Sequence, residues 1–218
     1  MNKNIFLSVL AAILLLNTSL CLAAETYYKI EVLAFKQTGN QPLAAEDWQG
    51  DNISKQLSKA ILLQNNNSEQ SSGVPIYQRL PEQQWDLRKE HQTLSHRNGY
   101  QLLTHVAWIQ PANAKEVRLT GGKQLPLQQQ QMSTAIAWEL DGIIKATLSH
   151  GRYFTIETNL ALSKPMNETT GLSYYDAIPT VNFQHYYLRQ TQGLQSGELH
   201  YFDHPAFGLL VKITPYEG

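Results

Sequence analysis

Residues 134–162, TAIAWELDGIIKATLSHGRYFTIETNLAL, decide the fold. Ile136, Trp138, Leu140, Ile144, Ala146 and Leu148 fall on one face of the first run, and Glu139, Asp141, Lys145 and Thr147 on the other. A period of two marks a strand with one buried face. After Ser149-His150-Gly151 the pattern returns, with Phe154, Ile156, Leu160 and Leu162 inward and Tyr153, Thr155, Glu157 and Asn159 outward. Two such runs joined by a tight turn predict a long antiparallel hairpin with one wet face.

Strands extend outward from this hairpin in both directions. Tyr28, Ile30, Val32 and Ala34 alternate within residues 27–35. Residues 100–110 are apolar on both faces, which predicts a central strand with helices over one side. His105 inside it reads as a hydrogen-bonded core residue. Residues 181–189 form an aromatic strand with Phe183, Tyr186 and Tyr187, and Phe207, Leu209, Val211 and Ile213 close the chain with another.

Two helices are expected. Ile53, Leu57, Ala60 and Ile61 share a face over about Asp51 to Leu63, with Asp51 as N-cap. A second runs from Pro81 to about Asn98, with Gly99 just past its end and Leu87 and Leu94 aligned on a weak apolar face. Its basic side, Arg88, Lys89, His96 and Arg97, reads as a solvated surface. Residues 37–50 (with Glu46-Asp47-Trp48), 64–73 and 163–180 read as loops, and 113–131 as a loop or weak hairpin around Gly121-Gly122. The sum is an α+β single domain: a mostly antiparallel sheet of about six strands with two main helices packed on one face.

Met1-Asn2-Lys3-Asn4 followed by an apolar run from Ile5 to Leu16, with Ala23 and Ala24 beyond, predicts a secretory signal peptide over residues 1–24, cut after Ala23 or Ala24. The apolar run is shorter than the roughly 20 residues a membrane span needs. Leu20 before Cys21 departs from the small residue that a lipidated cysteine follows. Residues 25–218 then form one periplasmic domain without cysteine, which excludes disulfides and thiol chemistry. With 17 Lys+Arg against 18 Asp+Glu, composition offers no electrostatic grip on nucleic acid.

The densest group of chemistry-bearing residues is Glu198, His200, Tyr201, Asp203 and His204, just before the closing strand. No Gly-x-Ser-x-Gly elbow or phosphate-binding glycine loop is present. His200, Asp203 and His204 have i, i+3, i+4 spacing and would converge on a metal if they formed a helical turn, which would make the chain a metal-dependent periplasmic hydrolase. The competing reading is a strand–turn–strand corner in which Asp203 and Pro205 shape the turn and the histidines bond locally.

Four stretches resemble one family in order: Tyr28 to Phe35, Tyr100 to Pro111, Leu140-Asp141-Gly142 leading to Arg152-Tyr153-Phe154, and Ser196-Gly197-Glu198-Leu199-His200-Tyr201-Phe202-Asp203-His204-Pro205 with Phe207 to Ile213. The chain is similar to the CsiV family of periplasmic peptidoglycan-binding proteins of gammaproteobacteria. The family's usual arginine-rich run before Ser-Gly-Glu-Leu is here Gln190-Thr191-Gln192-Gly193-Leu194-Gln195, with Arg189 left beside it.

The resemblance implies a non-catalytic role without cofactor. The protein would bind peptidoglycan and support cell-wall synthesis through an outer-membrane lipoprotein activator of a penicillin-binding protein. It supplies no site residues. From the residues alone, Tyr153, Glu157, Tyr186 and Arg189 are the candidate ligand-binding face, and Glu198, His200, Asp203 and His204 the adjoining corner. Protein scaffolding without glycan affinity is a third reading.

Overall fold

The computed structural model describes residues 26–38, 56–65, 74–113, 115–125, 137–165 and 183–217. The signal segment, Glu46-Asp47-Trp48 and the Asp51 cap lie outside them.

The domain is mostly β and holds two sheets, which corrects the expected single sheet with two helices. The first has the order β3-β1-β9-β8, from β1 (Tyr27–Gln37), β3 (Tyr100–Pro111), β8 (Leu199–His204) and β9 (Phe207–Tyr216). The second has the order β2-β4-β5-β6-β7, from β2 (Ile61–Leu62), β4 (Val117–Gln124), β5 (Trp138–His150), β6 (Tyr153–Pro165) and β7 (Phe183–Gln195). Apart from β2 with β4, all paired strands run antiparallel.

The inner faces of both sheets form one core. Ile30, Val32 and Ala34 of β1 and Leu209, Val211 and Ile213 of β9 meet Leu140, Ile144, Phe154, Ile156, Leu160 and Leu162 of the hairpin. The alternation read from the sequence is therefore right for each of these strands. A sheet, not a helical layer, covers that face.

Helices contribute less than expected. Residues 56–60 make a helical turn, with Ala60 N–H bonded to the Gln56 carbonyl at 3.1 Å, and the chain then enters β2 at Ile61. The second helix, α1, is Arg88–His96, preceded by a 3-10 turn at Glu82–Gln84. It does not run on from Pro81. Glu31 of β1 accepts the Asp86 amide at 2.7 Å and the Leu87 amide at 2.9 Å, so a side chain of the sheet starts this helix from outside. Leu87 and Leu94 do face the sheet, against Leu33 and Phe35.

The strands run further than the sequence reading had them. β4 occupies the expected loop, β7 continues through the polar residues Gln190 to Gln195, and β8 occupies the corner. The outer side of β5 is not wet at its start. Asp141 is fully buried, and Arg118 Nε and Nη2 grip its two oxygens at 2.8 and 2.7 Å. This bond holds the Arg118 guanidinium above its ordinary pKa.

Candidate functional site

Strand register builds a polar surface on the outer side of β5, β6 and β7. Lys145, Glu157 and Thr191 lie side by side in one row across the three strands, and Ile143, Asn159 and Arg189 in the next. Cross-strand neighbours on one face have side chains in reach of one another. Lys145 Nζ lies 3.4 Å from Glu157 Oε1, a loose pair near the surface. These rows line a groove of about 250 Å³, with Gln56 and Glu116 at its edge.

Arg189 is the centre of this surface. Its guanidinium lies 4.9 Å from the centre of the Tyr187 ring, and Nε donates to Asn159 Oδ1 at 3.2 Å. Asn159 Nδ2 in turn donates to Gln56 Oε1 at 2.7 Å. Nη2 is shut off from water and meets no acceptor among the described residues. A buried donor left unmade costs about 1–3 kcal/mol, so this guanidinium is held in place with bonding capacity in reserve. Burial raises the Tyr187 phenol above its ordinary pKa, and the Arg189 charge pulls it partly back.

The structure separates the eight expected residues. Glu157 and Arg189 share the groove. Arg189 and Gln190 also border a second hollow of about 240 Å³ with Asp203, His204 and Pro205, and Gln190 Nε2 donates to the Asp203 carbonyl at 3.1 Å, so the face and the corner meet at these two residues. Tyr153 lies on the same face, but six residues along β6 from Asn159, about 20 Å at the usual rise. Tyr186 is on the opposite, inner face, 9 % exposed and packed in the core, with Lys164 Nζ 5.4 Å from its ring centre. Residues 186 and 189 are an odd number apart, so a strand cannot present both on one side. Tyr187 has the right parity, and that spacing was the available signal for it.

At the corner, β8 is a strand, and alternation puts Asp203 on the side away from His200 and His204. The helical convergence that a metal needs does not form. Among the described residues no group of three or more His, Cys, Asp or Glu side chains could hold a metal ion. Asp203 Oδ1 accepts the Tyr201 hydroxyl at 2.6 Å; burial, and then this bond, raise the Tyr201 pKa. The Ala206 amide donates to His204 Nδ1 at 3.0 Å, which tightens the turn into β9. His200 Nε2 lies 3.3 Å from the backbone of Gln195 and 4.0 Å from Glu198, which projects into solvent. The corner is built as a strand–turn–strand unit.

A larger hollow of about 400 Å³ lies at the far end of the first sheet, between Lys29, Trp85, Arg88 and Tyr216. Its lysine is already occupied by Asp86 at 2.8 Å and the Gln84 carbonyl at 3.0 Å. Size favours this hollow, but uncommitted polar capacity favours the Arg189 groove.

Among solved structures, the chain is similar to the pilotin–secretin AspS–GspD complex of ETEC, at 13 % identity and TM-score 0.40, over 99 % of this chain and 53 % of that one. It is similar to the type II secretin GspD of enteropathogenic Escherichia coli at 13 % and 0.39, over 99 % and 75 %. Aeromonas hydrophila ExeD matches at 9 % and 0.40, over 99 % and 53 %. The chain thus spans about half the length of two of these secretin chains, and likenesses this faint carry nothing about its activity. No protein in the curated set matches. The model of the CsiV family, described as peptidoglycan-binding protein, matches residues 5–216, and the chain belongs to that family.

Proposed function

We propose that this protein is a non-catalytic peptidoglycan-binding protein of the periplasm, exported by cleavage of residues 1–24, that binds murein on the outer face of β5, β6 and β7. The observation that carries the reading is Arg189. Its guanidinium lies over the Tyr187 ring at 4.9 Å and is tied by Nε to Asn159, while Nη2 has no acceptor among the described residues, in a groove lined by amide, hydroxyl and charged side chains. An aromatic-backed guanidinium amid hydrogen-bonding side chains suits a polar, amide-rich polymer.

Support of cell-wall synthesis through a lipoprotein activator is the further role we assign on the family resemblance. The test is cosedimentation of the protein, purified without residues 1–24, with intact murein sacculi. Recovery in the pellet, with no soluble muropeptide released, agrees with the reading. Recovery wholly in the supernatant sinks it.

A further inference from the structure

The charges in the Arg189 groove say which part of murein it grips. Among the described residues the groove carries two cations, Lys145 and Arg189, and two carboxylates, Glu116 and Glu157. The sugars of murein are N-acetylated and uncharged. Its charge lies in the stem peptides, which bear free carboxylates and, where not cross-linked, the free amine of the diamino acid. A neutral sugar can hydrogen-bond to these groups but offers none of them an opposite charge. A polyanion would be repelled by two of them. A short zwitterionic peptide matches both signs.

Resting on the murein-binding reading above, we propose that the outer groove recognises the stem peptide rather than the glycan strand, with the guanidinium of Arg189 taking a stem-peptide carboxylate. Guanidinium and carboxylate form paired, parallel hydrogen bonds. Arg189 has the edge free to make them, because Nε alone is committed to Asn159 and Nη2 meets no acceptor. Nη2 is enclosed in the unliganded protein, so the ligand must draw the guanidinium a short way off Tyr187 into the groove. The Lys145–Glu157 pair, at 3.4 Å, is loose enough to open. Lys145 then adds to the carboxylate, while Glu157 and Glu116 face the amine. The whole chain has a formal net charge of −1, so no bulk attraction draws it to anionic murein, and the contact is local.

The test compares native sacculi with sacculi whose peptide carboxylates have been converted to methylamides, leaving glycan and mesh intact. We expect the protein to bind the amidated sacculi at least tenfold more weakly. The Arg189→Gln variant should bind native sacculi about tenfold more weakly than the parent and lose nothing more on amidation. Arg189→Lys, which keeps the charge but not the fork, should fall between. Far-ultraviolet circular dichroism and the melting temperature establish that both variants fold. Equal binding to native and amidated sacculi overturns the peptide assignment while leaving murein binding intact. No retention by native sacculi overturns both. A full amidation effect in Arg189→Gln places the carboxylate contact elsewhere and also overturns the assignment.

Discussion

The carboxylate of Glu31 lies 2.8 Å from Nε2 of His105, with the carboxylate fully buried and the imidazole nearly so. It also accepts the amides of Asp86 and Leu87, so one side chain joins β1, β3 and the start of α1. His105 donates from Nε2 to Glu31, and its Nδ1 lies 2.9 Å from Nδ1 of His91. Trp85 lies over His105 at 3.9 Å between ring centres. Glu31→Ala leaves two amides and an imidazole without their acceptor and should cost about 3 kcal/mol, whereas Glu31→Gln keeps one acceptor and should cost less. Urea unfolding checks this. The midpoint should fall with an unchanged slope.

Acid should weaken the same junction. Burial, and then the charge of His105, lower the pKa of His91 below its ordinary 6.5, with Glu82 partly opposing; burial also lowers that of His185. The unfolded chain therefore binds protons more readily than the folded one. Stability from these groups is full above about pH 6.5 and is lost as pH falls below it toward the lowered folded values. Melting temperatures between pH 8 and pH 5 should decline over the lower half of that range. His91→Gln should flatten part of the decline.

Gly142 allows β5 and β6 to come together. A Cβ there would lie 2.3 Å from the Asn159 carbonyl oxygen and 2.6 Å from Leu160 Cα, both backbone atoms that cannot step aside. Gly142→Ala should cost about 2–4 kcal/mol. Gly193→Ala, at a position where a Cβ meets nothing within 4 Å, is the control and should be near neutral. Denaturation midpoints of the two variants decide this.

The buried Asp141 gives a further expectation. Arg118→Ala leaves that carboxylate without its cation and should cost about 3–5 kcal/mol. Leu140-Asp141-Gly142, which marked the family in the sequence, is thus a structural motif: an inward leucine, a buried ion pair and a close strand approach.

Alternation made the strands legible wherever a strand buries one clear face. Ile30, Val32, Phe154, Ile156, Leu209 and Val211 all lie where the period of two put them. It could not show that the facing layer is another sheet, because a strand's inner residues look the same against either partner. β4 and the end of β7 were hidden by Gly121-Gly122 and by the glutamines, whose strand conformation comes from pairing with β5 and β6 rather than from propensity. Helix α1 was placed, but not its start, because its cap is Glu31, far away in sequence. Of the candidate ligand-binding residues, Glu157 and Arg189 share the groove and Tyr186 faces the core. Asn159, Lys145 and Thr191 become their neighbours only through register, which the sequence does not display.

The measurement that bears most directly on the binding surface is cosedimentation with native sacculi of the wild type, Arg189→Ala and Arg88→Ala. Arg88 lines the larger hollow at the far end of the first sheet and serves as the comparison. The wild type and Arg88→Ala should both pellet, and Arg189→Ala should require about tenfold more sacculi to do so. If Arg189→Ala pellets like the wild type, or Arg88→Ala is the variant that stays in solution, murein is not bound on the outer face of β5, β6 and β7.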